Sequence, residues 1–179
     1  ALMRENVVRA FYFSVAPSLF GDIAQRLSEY GIADAWSRIV VEKPFGRDLA
    51  SAKALNAVLA KHFNETQIYR IDHFLGKETV QNILVFRFAN SIFEPIWNRN
   101  YVDRVQIDVP EKLSLGKRSA FYEKTDAFRD MVVTHLFQIL GFVAMEAPTH
   151  LAPKPISEEK NKVFRSMLPI QPSNVVRGQ

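Results

Sequence analysis

Arg38-Ile39-Val40-Val41-Glu42-Lys43-Pro44-Phe45-Gly46 opens as a short β-branched run and is stopped by proline and glycine. A continuous apolar run of this length, bounded by breakers, fits a buried strand of a parallel sheet. Upstream, Val7 to Val15 is nearly continuous apolar sequence and reads as another strand, central and buried on both faces. Between the two, Pro17-Ser18 opens a helix. Phe20, Ile23, Ala24 and Leu27 fall at helical spacing, and Gly31 supplies the C-terminal cap. Downstream, Asp48 caps a second helix with Leu49, Ala52, Leu55, Leu59 and Phe63 on its inner face. Ile68 to Ile71 is a third strand. Strand–helix–strand–helix–strand at these lengths predicts a right-handed parallel α/β unit.

Past Asp72 the pattern changes. Val80, Ile83, Leu84 and Phe88 predict a helix over 78–88. Val105, Ile107 and Val109 alternate with Arg104, Gln106 and Asp108, the pattern of a half-exposed antiparallel strand. A long helix over 126–145 carries Phe128, Met131, Val132, His135, Leu136, Ile139, Leu140 and Val143. Pro148, Pro153 and Pro155 end it and begin an extended segment, with a short helix over 157–166. The fold class expected is therefore α/β followed by α+β, with the change of pattern near Asp72. Clefts between domains are favoured ligand sites.

The chain has 179 residues, 47% of them hydrophobic and 14 of them Phe, which is enough for a sizeable core. There is no cysteine, which excludes disulfides, thiolate zinc sites and a cysteine nucleophile, and agrees with a reducing compartment. A net charge of +4, with Lys117-Arg118 as the densest basic stretch, admits an anionic ligand but is too small and dispersed for nucleic acid. No apolar run approaches the roughly 20 residues that span a bilayer. Ala1-Leu2-Met3-Arg4 does not read as a natural start and Val175 to Gln179 stops abruptly, so both ends read as those of a fragment.

Three places could carry chemistry. Glu42-Lys43-Pro44-Phe45-Gly46 lies at the carboxyl end of a buried parallel strand, where open α/β sheets bind ligands. An X-Pro bond there can adopt cis geometry and so orient Lys43. Taken alone, the plainer reading, a strand-to-helix turn with a solvated lysine, is favoured by roughly two to one. Arg70-Ile71-Asp72-His73-Phe74-Leu75-Gly76-Lys77-Glu78 holds five ionisable side chains in nine residues. In extended backbone Asp72 and His73 point to opposite sides, and Gly76 lets Lys77 approach an anion closely. His135 lies on the apolar stripe of the long helix, where a satisfied core histidine is about as common as a catalytic one. A carboxylate would make it a general base. Asp130 is five residues away, about 140° around an α-helix, which points to Asp72 as the partner instead. His62 and His150 read as structural or exposed, and the histidines show no metal-ligand spacing.

Together these motifs resemble the glucose-6-phosphate dehydrogenase family. The resemblance runs through Phe11-Tyr12, Glu42 to Gly46, Arg70 to Glu78, Arg87-Phe88-Ala89-Asn90 and Ile96-Trp97-Asn98-Arg99. It continues through Arg129-Asp130 with His135, Val143-Ala144-Met145-Glu146 and Arg177-Gly178-Gln179. It implies the C-terminal half of a Rossmann-like dinucleotide-binding domain over 1–72, then the start of a large mixed or antiparallel-sheet domain over 73–179. It implies oxidation of glucose 6-phosphate at C1 to the phosphogluconolactone, with NADP as cofactor and NAD possible. It also implies a cytoplasmic homodimer or tetramer that contacts neither nucleic acid nor membrane.

By position, His135 resembles the general base and Asp72 the carboxylate that orients it. Lys43 resembles the lysine between sugar and nicotinamide, and Pro44 the adjoining cis proline. His73 and Lys77 resemble the ligands of the sugar phosphate, and Glu111 and Asp130 the carboxylates on the sugar hydroxyls. Within the 179 residues the family's Gly-x-Gly-x-x-Gly fingerprint does not occur, so the chain alone is expected to be inactive. Phe74 stands in place of the usual tyrosine and Thr134 in place of the usual asparagine, and Ser114 to Ala120 lacks the family's glycine-rich character. Those departures motivate an alternative: a non-catalytic or altered-specificity paralogue that binds a sugar phosphate. A related sugar oxidoreductase sharing only the Glu-Lys-Pro turn is a further alternative, and the run through Lys77 argues against it.

Overall fold

The computed structural model describes residues 7–46, 48–110 and 127–178. Glu111 and the 114–120 loop lie outside the described residues. The chain divides into two compact units, Ala1–His73 and Phe74–Gln179.

The first unit is a three-stranded parallel sheet in the order β1 (Arg9–Phe13), β2 (Ser37–Glu42), β3 (Ile68–Ile71). The β-branched run is the central strand, with Ile39 and Val41 fully buried. Val7 to Val15 was expected as a central strand buried on both faces. Among the described residues β1 is an edge strand, with Tyr12 exposed. Apolar composition reports burial, not the number of neighbours a strand has.

Two helices complete the unit. Pro17–Leu19 is a 3₁₀ turn that runs into α1 (Phe20–Glu29), and Gly31 follows with φ 62°, the left-handed conformation that glycine adopts without strain. α2 (Leu49–His62) begins at Asp48, whose carboxylate accepts from the Ser51 N–H while the Ser51 hydroxyl accepts from the Asp48 N–H. Leu59 and Phe63 are buried as expected, but Leu49 is 71% exposed. It occupies the first helical position, beyond the stripe that meets the sheet. Phe13, Phe20, Ala24, Ile39, Val41, Leu59, Phe63 and Ile68 form one core.

Gln67 ties β2 to β3 from inside. Its amide donates to the carbonyls of Asp34 and Ser37 and accepts from the Asn64 N–H, so a buried amide is satisfied on both ends. Desolvation raises the Asp34 carboxyl, but hydrogen bonds from Ser37 and Trp36 and the charge of Arg9 outweigh it and hold the group below its usual range.

In the second unit α3 spans Glu78–Phe88, as predicted. The long helix forms, but in two windings: a π-helical segment over Phe128–Leu136, then α4 over Phe137–Ala144. α5 runs over Pro153–Ser166, four residues earlier than expected, because Pro153 serves as a first helical residue whose missing N–H needs no partner. Residues 102–110 hold no regular structure, so the strand expected over 105–109 is not formed; a ladder needs a partner strand and none pairs with it among the described residues.

The second core joins Val80, Phe142 and Met145, with Phe74, Leu75, Ile83, Leu84, Phe88, Ile139, Ile156 and Val163 packed around it. Phe142 is buried here rather than the expected Val143, since the change of winding breaks a single 3.6-residue stripe. Arg87 is also buried, at 3% exposure. Its guanidinium donates to the carbonyls of Phe142 and Met145, each at 2.8 Å, and lies against the rings of Phe88 and Trp97. The Trp97 indole donates to the Val143 carbonyl at 2.7 Å. Two side chains thus satisfy the carbonyls at the end of the helix that carries His135.

Candidate active site

The carboxyl ends of β1 and β2 frame the candidate site of the first unit. Glu42, at the end of β2, is in register with Ile71, at the end of β3. Lys43 and Asp72 therefore leave adjacent strands at the same edge of the sheet. The Lys43–Pro44 bond is cis, the geometry the sequence admitted. Gly46 then holds φ 93°, and a Cβ on it would lie 2.5 Å from the Ala52 nitrogen. The turn is pressed against the first turn of α2 so closely that only glycine fits.

An open pocket of about 390 Å³ lies at this edge, lined by Ser14 to Pro17, Phe13, Phe20, Glu42, Lys43 and Pro44. Lys43 is half-buried in its wall, and the Tyr12 hydroxyl donates to Glu42 beside it. The loop Ser14 to Pro17 was not among the expected site residues. Its place directly after a parallel strand is the signal that could have found it. Asp72 is half-buried and His73 exposed. β3 ends at Ile71 and a turn begins at His73, so the strand alternation used to separate these two side chains stops before them.

The second unit gathers His135, Phe74 and Lys77. His135 is 5% exposed. Its imidazole lies 4.6 Å from the Phe74 ring, centroid to centroid, at a tilt of 37°. The Lys77 ammonium sits 4.4 Å from the centre of the same ring. Asp130 and His135 share the π-helical segment, where hydrogen bonding runs from i to i+5. Each turn of that winding holds more residues than an α turn, so Asp130 and His135 lie nearer the same face than α geometry allows. The argument that set them about 140° apart assumed an α-helix and is corrected. The Thr134 hydroxyl donates to the Asp130 carbonyl within this segment. No cluster of metal-binding side chains occurs among the described residues.

Comparison with known proteins places this geometry. Residues 2–82 match the family model of the glucose-6-phosphate dehydrogenase NAD-binding domain, and residues 84–179 match that of its C-terminal domain. The chain belongs to the glucose-6-phosphate dehydrogenase family. The glucose-6-phosphate 1-dehydrogenase of Rhizobium meliloti (strain 1021) is 51% identical over 175 residues, covering 96% of this chain and 36% of that relative. A crystal structure of glucose-6-phosphate 1-dehydrogenase from Mycobacterium avium superposes with a TM-score of 0.92 at 38% identity, over 99% of this chain and 38% of that one. A glucose-6-phosphate dehydrogenase solved in complex with its substrate glucose-6-phosphate gives 0.85 at 35% identity, over 93% of this chain and 35% of that one. The chain thus spans about a third of the length of the dehydrogenases it matches. The α/β unit with its parallel sheet lies within the match to the NAD-binding model, which runs on to residue 82, and the match to the C-terminal model begins at residue 84.

Proposed function

We propose that the protein carrying this chain oxidises glucose 6-phosphate at C1 to 6-phospho-D-glucono-1,5-lactone, the first step of the oxidative pentose phosphate pathway. The observation that carries this reading is a buried histidine and a lysine set against one aromatic ring in a chain of this family.

His135 takes the proton of the C1 hydroxyl as the C1–H bond breaks and the carbonyl forms, and Asp72 orients it and stabilises the imidazolium. His73 and Lys77 bind the 6-phosphate, where each charge-assisted hydrogen bond contributes roughly 1.5–3 kcal/mol. Asp130, on the same π-helical segment as His135, and Glu111 hold sugar hydroxyls. Lys43 steadies the developing charge between sugar and nicotinamide. The pocket along Ser14 to Pro17, Lys43 and Pro44 has the size and placement for part of a dinucleotide. NADP, or NAD in its place, supplies the hydride acceptor there. We further propose that the C-terminal part of the full-length protein carries a large mixed or antiparallel sheet, and that the protein is a cytoplasmic homodimer or tetramer.

The test is a pair of variants in the full-length protein, assayed by NADP reduction with glucose 6-phosphate. His135→Asn lowers kcat by roughly 10²–10⁴-fold with little change in KM, the usual contribution of a positioned base. Lys77→Ala raises KM for glucose 6-phosphate by roughly ten- to a hundredfold, the loss of one bond to a charged group. A wild-type kcat in His135→Asn removes the base from the mechanism.

A further inference from the structure

The tyrosine expected at position 74 would act through its hydroxyl. Phe74 has none, and the structure shows what its ring does instead. The ring is anchored from behind, in the cluster of Val80, Phe142 and Met145. It also meets the imidazole of His135, 4.6 Å between ring centroids, and the ammonium of Lys77, 4.4 Å from the ring centre. We propose that Phe74 is a positioning residue for His135, a flat wall that sets the angle of the imidazole; this rests on the reading of His135 as the base.

The terminal torsion of histidine is broad and roughly two-fold, so the backbone alone does not fix the plane of the ring. A base must stay within roughly 10–20° of its productive geometry. A planar neighbour held by the core restricts that torsion, while a branched aliphatic side chain of similar volume excludes water without defining a plane. An aromatic ring also attracts a cation, so it accepts the imidazolium that forms when the proton arrives. Lys77 uses the same ring as its platform. One side chain therefore sets the geometry of the proton acceptor and of a cation for the phosphate.

The proposal is tested in the full-length enzyme with Phe74→Leu and Phe74→Tyr. Leu keeps most of the apolar volume and removes the plane; Tyr keeps the plane. Phe74→Leu lowers kcat roughly ten- to a hundredfold per folded active site, as a small misplacement of a reacting group does, and leaves KM for NADP unchanged. Phe74→Tyr keeps kcat at the wild-type level, whatever its hydroxyl does to KM for glucose 6-phosphate. A role in stability alone would lower Tm in the Leu variant and leave kcat per folded site intact, and that result overturns the proposal.

The contact also has a readout that needs no turnover. In histidine-labelled wild-type enzyme the His135 ring protons, assigned by their loss in His135→Asn, are shifted upfield relative to those of His150. Absence of that shift overturns the proposal even if Phe74→Leu does not fold. Full activity in His135→Asn would instead sink the base assignment beneath it, so the two failures are distinguishable.

Discussion

Arg87→Met is the substitution whose cost is best defined. Arg87 gives two hydrogen bonds to the carbonyls of Phe142 and Met145, and at 3% exposure no water replaces them. Bonds to a charged donor contribute about 1.5–3 kcal/mol each, so the gross loss is roughly 3–6 kcal/mol. Lost contact with the Trp97 and Phe88 rings adds about 0.5–2 kcal/mol. Against this, burial pulls the guanidinium below its ordinary value despite the charges of Glu94 and Glu146, and Nε finds no hydrogen-bond partner among the described residues. Removing that charge returns several kcal/mol of desolvation.

The net expectation is a loss of about 2–4 kcal/mol, which lowers Tm by roughly 4–16 °C in a domain of this size. Thermal unfolding of the full-length protein followed by tryptophan fluorescence reads it directly, since Trp97 is the neighbour. Arg87→Lys keeps the charge but not the length and planarity that bring one guanidinium nitrogen to both carbonyls, and falls between. A Met variant that melts within about 1 °C of the wild type would refute the reasoning, because two stranded carbonyls cannot cost so little.

Gly46→Ala places a Cβ 2.5 Å from the Ala52 nitrogen at φ 93° and costs at least about 1–3 kcal/mol in backbone strain. It should also raise KM for the dinucleotide by displacing the turn that carries Lys43, which denaturation and initial-rate measurements check together. Asp48→Ala removes the capping box of α2 and should cost about 1 kcal/mol, read as a lower denaturation midpoint with an unchanged kcat.

Local signals in the sequence located most elements. The β-branched run of β2, the cap at Asp48 and the apolar spacing of α3 each determine structure within a few residues, and each appears where expected. What was not legible depends on distant neighbours. Nothing in the composition of Val7 to Val15 reveals that β1 has only one partner among the described residues. Nothing local marks Arg87 as buried, because arginine is almost never buried unless paired, and its partners are carbonyls 55 and 58 residues away. His135 was recognisable on its apolar stripe, but its contact with Phe74 joins segments about 60 residues apart. The winding of its helix has no sequence signature of the kind that proline or glycine gives. The side chains of Lys43 and Asp72 were legible as chemistry, and the register of β2 against β3 is what puts them at one edge.

The π-helical winding changes what an insertion or deletion in this helix means. The carboxyl end is held, by Arg87 and Trp97 on the carbonyls of Phe142, Val143 and Met145. Removing one residue between Phe128 and Thr134 would therefore leave His135 in place and move everything before it. Each residue of a helix advances and rotates the chain by a fixed step, so a one-residue gap after Asp130 would swing Arg129 and Asp130 around the axis and draw them toward His135. A gap that looks trivial in a pairwise comparison would exchange the residues standing beside the histidine. For this segment the count of residues carries as much information as their identity.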